Sequence, residues 1–300
     1  MNKKSTLPIK KIFKKKQSIK PKKNFENINQ IVPLVTIVTV VLNNQAFIEE
    51  TIQSVLNQTY RNIEYIIIDG GSTDGTLNII RKYEKFIDFW VSEKDKGIYD
   101  AMNKGLKLAK GRWINFMNSG DTFYSKDTIK SIPFTDFQNS PMIYGGIRLF
   151  SKNRKFLKII KPLICNKLNL ILFHSGVVCH QAVFYNADIK FRYADKYKVL
   201  GDLHSYFEYI KHGTAKRLDT IIANYHEGGF SEVSNSKRDN LVILKEQAGV
   251  FYLLRWAFFL YLKIINFLKN IRNNLHLKII NFLKNIRNNL PKKLEKNKKK

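Results

Sequence analysis

Three apolar runs in the first half of the chain each stop abruptly at turn-forming residues: LVTIVTVVLNN (34–44), IEYIIIDGG (63–71) and RWINFMNSGD (112–121). Short runs this rich in β-branched and aromatic residues are the pattern of strands buried on both faces. Between the first two, Phe47, Ile48, Ile52, Val55 and Leu56 recur at helical spacing over 47–58, and the segments 77–86 and 98–110 are helical as well. Residues 89–92 read as a further short strand. STDGT (72–76) supplies capping residues for the second helix, and Gly111 stands in the C-cap position of the third. Strands alternating with helices predict a mostly parallel central sheet with helices on both faces, an α/β fold.

Past residue 140 the pattern loosens. MIYGGIRLF (142–150) and HSGVVCHQAVFY (174–185) read as strands. VLGDLHSYFEYIKHG (199–213) opens with an acid, continues as a helix and ends at Gly213, and IIANYHEGGFS (221–231) is a strand followed by a two-glycine turn.

Two of the predicted strands end in carboxylates, Asp69 and Asp121. Ligands of open α/β sheets sit beyond the carboxyl ends of the strands, which makes these acids predicted neighbours in a cleft. Asp121, on a tight and exposed turn at Gly120, suits a hard divalent cation, Mg²⁺ or Mn²⁺, bridging a diphosphate to protein. Asp69 is placed to accept hydrogen bonds from a base or ribose. Several nucleotide folds are excluded. No G-x-G-x-x-G follows the first strand, no G-x-x-x-x-G-K-[ST] occurs, and LNNQAF lacks the glycine-rich loop that cradles a triphosphate.

The formal charge of +28 suggests a nucleic-acid binder until it is mapped. Residues 1–30 hold ten lysines against Glu26, and residues 251–300 hold thirteen Lys or Arg against Glu295. The 220 residues between carry only about +7, so the basic character belongs mainly to the two ends. Strand ends carrying acids are the reverse of a nucleic-acid groove, and no nucleic-acid partner is expected. Two cysteines, Cys165 and Cys179, permit at most one disulfide and fit a reduced compartment. The first 30 residues show no secretory pattern, and Arg255 breaks the longest apolar run near the C-terminus, 248–262.

The segments PLVTIVTVVLNN, ETIQSVLNQTYRNIEYIIIDGGSTDGT and SEKDKGIYDAMNKGLKLAKGRWINFMNSGDTF, in that order, resemble the family 2 inverting glycosyltransferases. The likeness is close over 33–124 and looser to about 231. It implies the GT-A nucleotide-diphospho-sugar transferase fold and transfer of a sugar from a nucleoside diphosphate sugar to a saccharide or lipid-linked acceptor. Carried over by position, Thr39, Val40, Leu42 and Asn43 line the nucleotide, and Asp69 holds the base or ribose. Asp95, Gly97, Asp100, Asn103 and Lys104 fall in the D-x-G-x-x-D-A-x-N-K-G segment beside the donor. NSGD resembles the metal-binding D-x-D turn, with Gly120 where a first aspartate often stands and Asp121 left as the metal ligand. Asp202 matches the general base, against the simpler reading of a helix cap, with Glu208 in reserve. His180, Gln181, Gly228, Gly229 and Ser231 are expected to contact donor or acceptor.

The expected organisation is a lysine-rich arm (1–31), a GT-A domain (32–240, with a donor half 32–124 and an acceptor half 125–240) and a basic helical C-terminal tail (241–300). YLKIINFLKNIRNNL (261–275) and HLKIINFLKNIRNNL (276–290) are tandem copies whose apolar residues, Ile264, Phe267, Leu268, Ile271 and Leu275 in the first, share one helical face. Lysine- and asparagine-rich opposite faces fit an anionic membrane surface, the alternative being an oligomerising or docking helix. The cysteines and the basic ends predict a cytoplasmic enzyme, peripheral on the inner face of the cell membrane, and the resemblance implies surface polysaccharide or lipopolysaccharide assembly. The rival is a basic protein that binds nucleic acid or an anionic surface without catalysis, and its binding would survive loss of Asp121.

Overall fold

The computed structural model describes residues 34–173 and 178–228, with scattered helical positions between 239 and 284. The chain divides into two compact units, Met1–Gln247 and Ala248–Lys300. The first unit therefore continues past position 241, and the buried Ile243 belongs to it.

Four parallel strands form the half of the sheet that the first 124 residues were expected to build: β1 (Val35–Val41), β2 (Ile63–Asp69), β3 (Phe89–Ser92) and β4 (Trp113–Phe116). Every residue of β1 is buried, as its unbroken β-branched run requires. Ile66, Ile67 and Ile68 of β2 are buried as well, and each such side chain contributes about 1.5–3 kcal/mol. Helices α1 (Ile48–Leu56), α2 (Thr76–Lys82) and α3 (Ile98–Leu108) connect them. The other strands are β5 (Thr122–Phe123), β6 (Met142–Phe150), β7 (Phe156–Ile160), β8 (Val183–Asn186) and β9 (Lys216–His226), and helices α4 (Lys167–Phe173) and α5 (Gly201–Tyr209) complete the set. Among the described residues these strands form one sheet in the order β3-β2-β1-β4-β8-β6-β9-β5, with β7 on β6. The added half is mixed: β8 runs antiparallel to β4 and β6, while β9 runs parallel to β6.

Two local expectations are corrected. Gly111 does not cap α3, which ends at Leu108 with Ala109 in extended conformation. A Cβ on Gly111 would lie 2.6 Å from the Thr36 backbone nitrogen, so the glycine lets the chain enter β4 hard against β1. The apolar run 174–185 is strand only from Val183; His180–Ala182 form a 3₁₀ turn, and 174–177 lie outside the described residues. That turn places two polar side chains in the functional cavity.

Candidate active site

A cavity of about 750 Å³ opens at the carboxyl ends of β1 and β4, lined also by α3, the 180–182 turn, the start of α5 and the end of β9. Of the residues expected to form the site, Val40, Leu42, Asn43, Asp95, Gly97, Gly120, Asp121, His180, Gln181, Asp202 and Gly228 line it. Gly229 and Ser231 lie outside the described residues. Thr39, Asp69, Asp100, Asn103 and Lys104 stand behind the wall, and their bonds show what they do there.

Asp69 is 0% exposed. Its Oδ2 accepts hydrogen bonds from the Gly71 and Ser72 amides (3.1 and 2.9 Å) and Ser92 Oγ (2.6 Å), and its Oδ1 from Ser72 Oγ (2.5 Å). Ser72 Oγ in turn accepts the Asn43 amide at 2.7 Å, fixing Asn43 at the cavity wall with φ 49°. The carboxylate thus shapes the loop after β2 through Ser72. Asp69→Asn would turn an amide N–H toward these donors and leave buried polar groups unpaired, lowering stability by about 3 kcal/mol. Denaturant unfolding should read this as a lower midpoint at an unchanged slope.

The other residues behind the wall brace it as well. Thr39 Oγ1 donates to the Met117 carbonyl (2.8 Å). Asn103 exchanges two 2.9 Å bonds with the Tyr193 backbone. Lys104 pairs with Glu93 at 2.9 Å and Asp100 at 3.5 Å, steadying the loop that carries Asp95. Asp95 itself faces the cavity, where burial raises its carboxyl above the ordinary range against the opposing Gly97 amide bond.

The turn Asn118–Asp121 depends on Gly120, whose φ of 103° is a left-handed conformation that favours glycine. Thr51 of α1 clamps it twice, its Oγ1 accepting the Gly120 amide (3.0 Å) and donating to the Asp121 carbonyl (2.8 Å). Asp121, expected on an exposed turn, is only 5% exposed, because β9 and the 180–182 turn close over it. Gln181 Nε2 donates to its Oδ2 at 2.6 Å and the His226 amide to its Oδ1 at 2.9 Å.

Asp202 lies in the first turn of α5 but does not cap it: Leu200 is the N-cap residue, and no side chain of that residue caps the helix. Among the described residues Asp202 Oδ1 accepts only the neighbouring Leu203 amide, and Oδ2 faces His180 Nδ1 at 3.7 Å. Asn118 Nδ2 lies 2.8 Å from His180 Nε2; with the amide nitrogen as donor, the imidazole proton is on Nδ1, toward Asp202. Consecutive residues of one 3₁₀ turn therefore reach the two acids, Gln181 to Asp121 and His180 to Asp202. Glu208 points elsewhere, pairing with Lys211 at 2.7 Å and His204 at 3.6 Å.

Sequence reading missed the group that holds the Asp202 turn. Asp239 is buried, and its Oδ2 accepts the amides of Lys198, Val199 and Leu200 at 2.7, 2.6 and 3.2 Å. Tyr99 of α3 braces the same turn, its hydroxyl donating to the Val199 carbonyl and accepting the Gly201 amide at 2.8 Å. No local pattern marks Asp239; its partners lie about forty residues away. Lys152 and Arg154 also went unremarked. Both line the cavity, and Arg154 pairs with Glu50 and stacks over Phe47 at 4.4 Å.

The residues present fit a divalent cation. Among the described residues, His226 Nδ1 is buried without a hydrogen-bond partner, and it lies 3.9 Å from Asp121 Oδ1. An imidazole nitrogen and a carboxylate oxygen, with the remaining positions left to diphosphate and water, make a suitable donor set. Among the described residues no group of three or more His, Cys, Asp or Glu converges as a self-sufficient metal cage.

This geometry is that of a GT-A fold with acids at the strand ends. The profile of the family described as Glycosyl transferase family 2 matches residues 36–185, half of the chain, and the chain belongs to that family. A PGL/p-HBAD biosynthesis glycosyltransferase of Mycobacterium bovis is 29% identical over 212 residues, covering 66% of this chain and 79% of that protein. An uncharacterized glycosyltransferase of Rickettsia bellii is 34% identical over 154 residues, 49% of this chain and 22% of that one. Among solved structures, the crystal structure of S. aureus TarS 1–349 in complex with UDP-GlcNAc superposes with a TM-score of 0.58 at 19% identity. That match covers 72% of this chain and 65% of the TarS fragment, and it bears on the fold.

Proposed function

We propose that this glycosyltransferase moves a sugar, with inversion, from a nucleoside diphosphate sugar to a hydroxyl of a saccharide or lipid-linked acceptor in surface polysaccharide or lipopolysaccharide assembly. The observation that carries this reading is the presence of Asp121 and Asp202 on one cavity, each tied to a neighbouring residue of the 180–182 turn. On this reading the diphosphate would sit toward Asp121, in a cavity that Lys152 and Arg154 also line. Asp121 and His226 would hold Mg²⁺ or Mn²⁺, which would supply neutralising charge for the departing diphosphate. Asn43 and Asp95 take the nucleotide side, on the loops that Asp69 and Lys104 brace.

Asp202 takes the proton of the acceptor hydroxyl as its oxygen bonds to the anomeric carbon. The bond from that carbon to phosphate breaks on the opposite side, and the nucleoside diphosphate leaves with the electron pair. His180, held by Asn118, directs its Nδ1 proton at Asp202 Oδ2 and orients the carboxylate.

The protein works as a peripheral membrane enzyme. In the second unit, Leu260, Tyr261, Ile264 and Leu268 are exposed, as are Ile279 and Leu283 at the equivalent positions of the second repeat. Phe267, Ile271 and Leu275 lie outside the described residues. No helix among the described residues is long and apolar enough to cross a membrane.

A panel of nucleotide sugars with and without Mn²⁺ tests the reading. The correct donor at about 100 times its dissociation constant should stabilise the protein by about 2.7 kcal/mol and raise its Tm, dependent on metal. A panel that leaves Tm unmoved while DNA or RNA raises it would favour the non-catalytic rival.

A further inference from the structure

We propose that the catalytic unit carries its own membrane-contact edge, built from β7, the turn that follows it and the start of α4, and that this edge seats on a bilayer containing anionic phospholipid. Residues 137–187 hold seven Lys or Arg and no Asp or Glu, a bias unlike that of the rest of the unit. Phe156, Leu157, Ile159, Leu163, Ile164 and Leu168 are exposed within that stretch. Lys155, Lys158, Lys161 and Lys167 are exposed between them, and among the described residues none of the four forms an ion pair.

The exposure is built into the fold. Tyr144, its ring buried in β6, donates its hydroxyl to the Leu163 carbonyl (3.2 Å) and accepts the Cys165 amide (2.7 Å). It pins the turn so that Leu163 and Ile164 face outward while Pro162 and Cys165 face in. Asn169 Nδ2 holds the Ile164 carbonyl at 2.7 Å, and Asn166 Oδ1 accepts the Asn169 amide at 2.8 Å. Lysines alone would be ordinary protection for an edge strand, and β7 has no second strand neighbour among the described residues. That explanation ends with the strand. The apolar exposure continues through Ile164 and Leu168, where there is no strand edge to protect.

Aliphatic and aromatic side chains interleaved with lysines match the boundary between anionic headgroups and acyl chains, with the lysine stems reaching up to phosphate. The edge is continuous with the cavity wall, since Lys152, Arg154, Ile160 and Pro162 line the cavity. An acceptor with a lipid tail could thus stay in the bilayer while its hydroxyl reaches Asp202. The placement of the acceptor rests on the proposed transfer reaction; the membrane contact does not.

The full chain tests this, by co-sedimentation with vesicles of phosphatidylglycerol and phosphatidylcholine against phosphatidylcholine alone. Leu157→Glu with Ile164→Glu should lower partitioning to the anionic vesicles at least about tenfold, with the tail intact and Tm unchanged. Lys155→Gln with Lys158→Gln should lower it by about fivefold per lysine. Transfer to a soluble acceptor should be unaffected by either pair, so loss of transfer in the wild type would count against the reaction and not against the edge. As a second measurement, Leu157→Trp should add fluorescence that brominated lipid quenches. Partitioning equal to wild type in the Glu pair, or unquenched fluorescence at position 157, would overturn the proposal. So would light scattering that gives a wild-type dimer and a monomeric Glu pair, which would make the edge a contact between two copies.

Discussion

Asp121→Asn is expected to abolish metal-dependent donor binding and to slow transfer on the order of 10³-fold, because on the proposed reading a metal held there would supply several kcal/mol of charge stabilisation to the leaving diphosphate. The substitution keeps the shape and one acceptor oxygen, which can still take the His226 amide. The other position becomes an N–H facing Gln181 Nε2, and Gln181 is not free to turn over because its Oε1 already accepts from Cys179 Sγ at 2.8 Å. One buried donor is left without a partner, so the variant should also lose about 1–3 kcal/mol of stability. The two effects separate experimentally. Calorimetric titration of the donor at low temperature, where the variant remains folded, reads binding with and without Mn²⁺. Equal, metal-sensitive affinity in variant and wild type would remove Asp121 from the metal site. Gln181→Met is the useful companion. It removes the bond to Asp121 without touching its charge, and should weaken binding by much less than Asp121→Asn.

The parallel half of the fold is legible in the chain because its information is local. β1 and β2 are continuous apolar runs, the helices between them carry a single periodic face, and each strand stops at polar turn residues. The turn at Gly120–Asp121 is legible for the same reason. The mixed half is less so. β8 is four residues inside a longer apolar run, and only its pairing with β4 and β6 decides where the strand begins. Burial of acids is harder still to read. Asp69 and Asp121 look alike in sequence, each a carboxylate beside glycine at a strand end. One is turned inward by two serines and two amides; the other faces the cavity, its oxygens shared with Gln181 and His226. Those partners lie up to about a hundred residues away, which no window of sequence contains. Asp239 is the same case beside α5.

Asp202→Asn should lower kcat by about 10²–10⁴-fold while leaving donor affinity within about twofold of wild type, since a base that acts on the acceptor does not hold the donor. Geometry makes the variant informative. Asn at 202 keeps the acceptor for the Leu203 amide, and the cap of α5 is held by Asp239, so little stability is at stake. A helix-cap role would give the opposite result, a drop in Tm with kcat intact, and a full loss of donor binding would place the residue on the wrong side of the cavity. His180→Gln separates orientation from proton transfer. Glutamine can still donate a hydrogen bond toward the Asp202 carboxylate, so kcat should fall by less than in Asp202→Asn. Asn118→Leu removes the bond that holds the His180 ring and should lower kcat in the same direction. If Asp202→Asn turns over at the wild-type rate, the proton of the acceptor goes elsewhere and the assignment of Asp202 fails, whatever His180 does.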